Sequence, residues 1–358
     1  MLVARGHQVR FLGYALQRAE IEARGFGFTQ LARSGGFNPV GAHSLDERLA
    51  GYIACPEHLL DIEDALDEHP ADALIVDYVL NGALVFAARR TLPAAVLAHS
   101  GIGTLVPPRE SPVAAACLAA INRIRDSELL SPLAHLEGAW AELPTLVATI
   151  PQLDSASANA EANVCYIGPI REKQVGLEWA SPWTADDHRP LVLASFSTTG
   201  FWDQQSRMRH TLDALEGEPV RILLSCGAGG LDGPLPQNAR VRPFLPHDVL
   251  LPSTSLMVSH SGNGTVTACL AHGVPMVGLP NAVDQPILAK RIEELGAGIA
   301  LDGDAGPSEI RAAARQILEK PSYRKAARAL ALAIKDLPGA TGAASALELL
   351  AAHGSQID

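Results

Sequence analysis

Arg242–Gly298, RPFLPHDVLLPSTSLMVSHSGNGTVTACLAHGVPMVGLPNAVDQPILAKRIEELGAG, is the stretch on which the fold turns. It reads as strand, glycine-rich loop, helix, strand, then a second loop entering a helix. Leu256–Ser259 is a short apolar strand, His260-Ser-Gly-Asn-Gly-Thr265 follows, and Val266–Ala271 opens a helix. Gly262 and Gly264 let the backbone turn tightly and approach a ligand. The helix start offers unpaired N–H groups and a partial positive charge, which suit an anion such as a diphosphate. His260 can add a hydrogen bond and Thr265 a hydroxyl. The simpler reading of these residues is a tight strand-to-helix turn with Thr265 as N-cap. The second loop, Gly278-Leu-Pro-Asn-Ala-Val-Asp-Gln-Pro286, ends another parallel strand, where open α/β sheets bind ligands. Asp284 and Gln285 offer acceptors and donors for vicinal hydroxyls. Asp284 before Pro286 is also a good helix cap, and the two roles are compatible.

Working outward, strands and helices alternate, which indicates a parallel α/β design. The expected strands of the first half are Gln8–Leu12, Ala73–Val76 and Ala94–Ala98. Helical periodicity follows Asn81, and Val113–Ile124 is an apolar helix. The second half restarts with a buried strand over Pro190–Ser197. Val220–Ser225, Leu256–Ser259, Met276–Leu279 and Gly298–Leu301 follow. Ser195-Phe-Ser-Thr-Thr199 places small hydroxyls after the first of these strands. The expected division is 1–160 as a first Rossmann-like domain, 161–189 as linker, 190–337 as a second domain and 338–358 as a helical tail.

At 358 residues the chain suits two domains, and 47% hydrophobic residues supply two cores. A net charge of −11 argues against a nucleic-acid partner, because phosphate backbones want a basic face. It leaves room for a nucleotide held at a helix start. Five scattered cysteines show no metal-ligand spacing and suit a reducing cytoplasm. No apolar run approaches the ~18–20 residues of a membrane helix, and no signal-peptide pattern opens the chain.

Phe244-Leu-Pro-His247, His260-Ser-Gly-Asn-Gly-Thr265, Gly273-Val-Pro275 and Asp284-Gln285 together resemble the donor signature of family-1 glycosyltransferases, in the bacterial natural-product style. The resemblance implies a GT-B fold, two Rossmann-like domains with parallel sheets facing a cleft. It implies that Phe244 stacks on the nucleotide base and that the Leu245 main chain bonds to that base. It implies that His260 contacts the diphosphate and that Ser261, Gly262, Asn263, Gly264 and Thr265 form the phosphate loop. Asp284 and Gln285 match the pair that holds sugar hydroxyls, and Ser197 and Thr198 match a small polar pair near the phosphates. Two departures stand out. Ser261 replaces a common glycine. Ala268 stands where many UDP-sugar enzymes carry a ribose-binding Glu, which tilts the expectation toward a dTDP-sugar.

The family opens with a strand and a loop carrying a catalytic histidine, and Met1-Leu-Val-Ala-Arg-Gly-His7 resembles the end of the helix after that loop. The first domain is therefore expected to be incomplete at its start, with His7 in a helix-to-strand turn. Asp77 matches the carboxylate that orients the histidine, and its simpler reading is a strand-end turn or helix cap. A neutral His would take a proton from an acceptor hydroxyl, and the carboxylate would stabilise the imidazolium. His99 and Ser100 end a strand and are expected to line the acceptor cleft. The implied function is inverting transfer from a dTDP- or UDP-sugar to a hydroxyl of an apolar small molecule. The nucleotide sugar is a co-substrate, and no resident cofactor or metal is expected. The alternatives are a nucleotide-sugar-binding relic or partner subunit without the base, and an epimerase.

Overall fold

The computed structural model describes residues 1–41, 43–89, 92–171, 179–196, 204–227, 230–281 and 284–353. These fall into two compact units. The first comprises Met1–Ala148, Ala156–Gly168 and Pro338–Asp358, and the second Thr149–Ser155 and Pro169–Leu337.

In the first unit, β1 (Arg10–Gly13) and β2 (Gly27–Gln30) form a parallel pair. A separate parallel sheet runs in the order β3 (Leu74–Asp77), β4 (Ala94–Ala98), β5 (Thr145–Val147), β6 (Val164–Tyr166). The helices α1 (Glu57–Glu68), α2 (Asn81–Arg89) and α3 (Pro112–Ser127) pack on it. β4 is an uninterrupted small-apolar run because a parallel strand is covered on both faces. On one face Val76, Phe86, Val96, Ile121 and Trp140 share a core. On the other, Ala95 meets Leu347 and Leu350 of the C-terminal helix, Gly339–His353. Ser111 caps α3 by accepting from the Ala114 N–H, and Pro112 follows at the position where its missing N–H costs nothing. β1 and β3 are edge strands, with Phe11 40% and Ile75 47% exposed.

Two expected boundaries shift. Residues 338–358 do not form a separate tail: their helix closes the first unit, where Glu348 meets Arg5 at 2.6 Å and His7 at 2.8 Å. The expected linker 161–189 contains β6, which pairs with β5, and from Pro169 onward it belongs to the second unit.

The second unit holds a six-stranded parallel sheet among the described residues, in the order β12-β11-β10-β7-β8-β9. The strands are β7 (Leu191–Ser195), β8 (Arg221–Ser225), β9 (Ala239–Arg242), β10 (Thr254–Ser259), β11 (Met276–Gly278) and β12 (Gly298–Ala300). The crossovers carry α4 (Gln205–Leu215), α5 (Asn263–Ala271) and α6 (Gln285–Glu294), and α7 (Pro307–Glu319) and α8 (Pro321–Lys335) follow. The chain winds outward from β7 to β9, then returns to β7's other side with β10. Strand order therefore reverses between β7 and β10, where Ser195 and Ser259 are register partners. Ligands of open α/β sheets bind at such a reversal, beyond the strands' carboxyl ends.

Candidate functional site

The His260–Thr265 loop leaves β10 at this reversal. α5 starts at Asn263 with Gly262 as its N-cap, so Thr265 is a third-position residue and not the cap. Ser261 adopts φ 61°, a left-handed conformation that non-glycine residues seldom take. The Ser259 hydroxyl accepts from the Ser261 N–H at 3.1 Å and steadies the turn. Ser261 is fully buried and its hydroxyl has no hydrogen-bond partner. Replacing it with Gly should therefore raise stability by about 0.5–1 kcal/mol, the relieved strain less the gain in unfolded-chain entropy. A lower melting temperature for Ser261→Gly would contradict this account.

The His260 ring folds back over Gly262, so a methyl there would lie 2.6 Å from Nε2. Burial drives the His260 pKa down to about 4, against a hydrogen bond from the ring to the Ser195 main-chain carbonyl that raises it, and the charge of Arg207 lowers it further. The ring is thus neutral at pH 7. Its Nδ1 is buried without a hydrogen-bond partner. Gly264 is exposed and Thr265 half-buried beside it.

The second loop closes on itself. Gln285 is buried, and its Oε1 accepts from the Asn281 N–H at 2.8 Å, leaving its amide N–H groups for other contacts. The Asn281 side-chain amide nitrogen is buried without a hydrogen-bond partner. Asp284 occupies the N-cap of α6 and makes no side-chain cap bond there. Phe244 is 60% exposed, while Leu245 is buried in the core. Ser197 and Thr198 lie outside the described residues. Ala268, half-buried on α5 against the core, offers no acceptor. Arg207, on the first turn of α4, was missed in the sequence. A methyl at Gly303 would lie 2.9 Å from its Nη2 and 2.0 Å from the Pro280 carbonyl.

In the first unit, Asp77 ends β3 and its Oδ1 accepts from the Val79 N–H at 3.0 Å, the turn-residue geometry of the simpler reading. Solvent reaches the residue, yet the surrounding protein raises its pKa by desolvation, opposed by the Val79 bond and by His99. Parallel pairing sets Asp77 opposite Leu97, two residues before His99. His99 is exposed and meets the Tyr78 ring edge-on, with centroids 5.0 Å apart. Ser100 corrects the expectation: it is fully buried, its hydroxyl 3.0 Å from that of Thr104, and lines no open surface. Nearby, Tyr14 and Tyr52 meet edge-on at 5.6 Å, and the negative charge of Asp77 adds to burial in raising the Tyr52 pKa to about 12. Neither tyrosine stands out in the sequence, because a single Tyr carries no spacing signal.

Two parallel-sheet units, the second with a glycine-rich loop at its strand reversal, make up the GT-B fold. The proteins this chain matches are natural-product glycosyltransferases. Residues 209–350 match the family described as Erythromycin biosynthesis protein CIII-like, C-terminal domain. The 4'-demethylrebeccamycin synthase of Lentzea aerocolonigenes is 25% identical over 370 residues, covering 90% of this chain and 88% of that protein. The demethyllactenocin mycarosyltransferase of Streptomyces fradiae is 34% identical over 174 residues, covering 48% of this chain and 37% of its own length. The calicheamicin glycosyltransferase CalG4 superposes with a TM-score of 0.80 at 22% identity, covering 99% of this chain and 93% of its own. The glycosyltransferase VinC, in complex with dTDP, gives 0.71 at 18% identity, covering 99% and 94%. Among the described residues, no helix is long and apolar enough to cross a membrane.

Proposed function

We propose that this chain moves a sugar from a nucleoside-diphosphate sugar to a hydroxyl of an apolar small molecule, inverting the anomeric carbon. The observation that carries the reading is the buried, unpartnered His260 Nδ1 beside the start of α5 at the strand reversal. A buried polar atom without a partner is costly, and a ligand supplying one removes the penalty. Asp284 and the Gln285 amide would hold the sugar hydroxyls, and exposed Phe244 the base. Asp77 would orient the group that takes the acceptor proton, with His99 beside the acceptor.

The favoured nucleotide is dTDP. Ala268 leaves a ribose 2′-hydroxyl without an acceptor at that position, and a deoxyribose has no such hydroxyl to satisfy. The bound dTDP of VinC accords with this choice. Charge on the diphosphate is assigned to protein groups, with no resident cofactor or metal and no nucleic-acid partner. Five free thiols suit a cytoplasmic setting.

Titration with dTDP-glucose and UDP-glucose tests the site. His260→Ala and Gln285→Ala should each weaken donor binding about tenfold, the loss of one hydrogen bond to a charged or buried group. Gln285→Ala also frees the Asn281 N–H. Unchanged affinity in both variants would remove the assignment.

A further inference from the structure

We propose that Arg207 is the cation that meets the donor's diphosphate and stabilises it as it leaves; this deepens the donor-site reading above and rests on it. The need for a cation comes from charge. An NDP-sugar carries two negative charges on its diphosphate. As the bond from the anomeric carbon to the β-phosphate oxygen breaks, the electron pair goes to that oxygen. The acceptor oxygen forms the new bond to carbon, and its proton passes to a base. The released diphosphate therefore gains charge in the transition state, where fixed positive groups act most strongly.

The loop itself supplies only dipoles. His260 is neutral at pH 7, so it brings a hydrogen bond and no charge. Arg207 is the cation whose field reaches the His260 ring. Three features hold its head in that place. Its α4 crossover descends from β7, the strand paired with β10 at the reversal. Its Nη2 lies against Gly303, where a side chain would clash. The Pro280 carbonyl converges on the same point, and Pro280 belongs to the loop that carries Asp284 and Gln285. Arg207 thus stands beside both halves of the proposed donor site. Arg209, two residues on, donates to the Asp232 and Pro234 carbonyls and fixes a loop. A guanidinium suits the role because it keeps its charge and can bond two phosphate oxygens at once.

The test compares Arg207→Gln, Arg207→Lys and the unaltered protein by calorimetric titration with dTDP and with thymidine, alongside melting temperature. Arg207→Gln should lose about 10–100-fold in dTDP affinity, as expected for a charge-assisted bond, and should keep its thymidine affinity and melting temperature. Arg207→Lys should recover part of the loss. The dTDP affinity of Arg207→Gln should also fall less steeply with added salt. Unchanged dTDP affinity in Arg207→Gln overturns the proposal. So does an equal loss for dTDP and thymidine, which would mark Arg207 as a brace for the loops. If the unaltered protein binds neither dTDP nor UDP, the donor-site reading falls and this proposal with it. Binding without dependence on Arg207 overturns this proposal alone.

Discussion

Gly262→Ala should lower kcat/KM for sugar transfer about a hundredfold while leaving the protein folded, because displacing a catalytic contact by about 1 Å costs that much. The backbone at Gly262 has φ −65° and ψ 144°, which any residue adopts, so alanine brings no main-chain strain. The added methyl would meet His260 Nε2 at 2.6 Å and Cδ2 at 3.2 Å. Those atoms are the far end of a side chain, so the ring swings aside and the fold survives. What is lost is the placement of the ring over the start of α5. In the proposed donor site, a His260 contact to the diphosphate is worth most where charge accumulates in the transition state, so kcat/KM should fall further than ground-state affinity. A double-mutant cycle checks the cause. Gly262→Ala added to His260→Ala should change kcat/KM little further, because both act through one ring. Fully additive losses would show that the methyl acts on the ligand and not on His260. Gly264 offers the comparison, since a methyl there meets no protein atom within 4 Å.

The loops after β10 and β11 were legible in the sequence because each is local. β10 carries the buried apolar run Leu256–Val258 and β11 is buried throughout, and the glycines near their ends mark the turns. β6 was not legible. It is three residues long, sits among Asn, Gly and Pro, and is a strand only because β5 lies beside it. β9 has the same difficulty, with Arg240 and Arg242 breaking its apolar character. The destination of the C-terminal helix depends on Glu348 finding Arg5 and His7 more than three hundred residues earlier, and no periodicity encodes that. Arg207 was missed for a similar reason: its value lies in Gly303 and Pro280, which only the folded sheet brings to it. Ser100 was misplaced by reading the strand end as wholly open. The burial pattern there alternates, with Ala98 and Ser100 inward and His99 outward, as period-two geometry requires.

Asp61→Ala should destabilise the first unit by about 3 kcal/mol, the cost of stranding buried donors. The Asp61 side chain has no accessible surface. Its Oδ1 accepts from the Arg33 N–H at 2.9 Å and the Arg33 guanidinium at 3.1 Å. Its Oδ2 accepts from the Ser34 N–H at 3.2 Å and the Ser34 hydroxyl at 2.9 Å. One carboxylate on α1 therefore pins the segment after β2. Burial pushes its pKa up, but these four bonds outweigh burial and hold it below the usual range. Three residues earlier, His58 Nε2 lies 2.8 Å from the Tyr14 hydroxyl, which itself donates to the Gly51 carbonyl. His58 must then donate from Nε2, and its buried Nδ1 is a bare lone pair without a partner. A proton on Nδ1 would find no acceptor, and desolvation takes the His58 pKa down to about 4. Both groups act in the same direction. The unfolded chain protonates His58 near pH 6.5, so stability falls as pH drops from there toward 4, by on the order of 3 kcal/mol in all. The Asp61 contribution is present above its unfolded pKa and is lost as pH falls through its lower folded value. Amide hydrogen exchange of β1 and β2 reads both effects. Protection should be lower in Asp61→Ala at pH 7, and in the unaltered protein it should begin to fall below pH 6.5. Asp61→Ala protection within about 0.5 kcal/mol of the unaltered protein, the spread of an ordinary surface substitution, would mean that the carboxylate does not hold this segment.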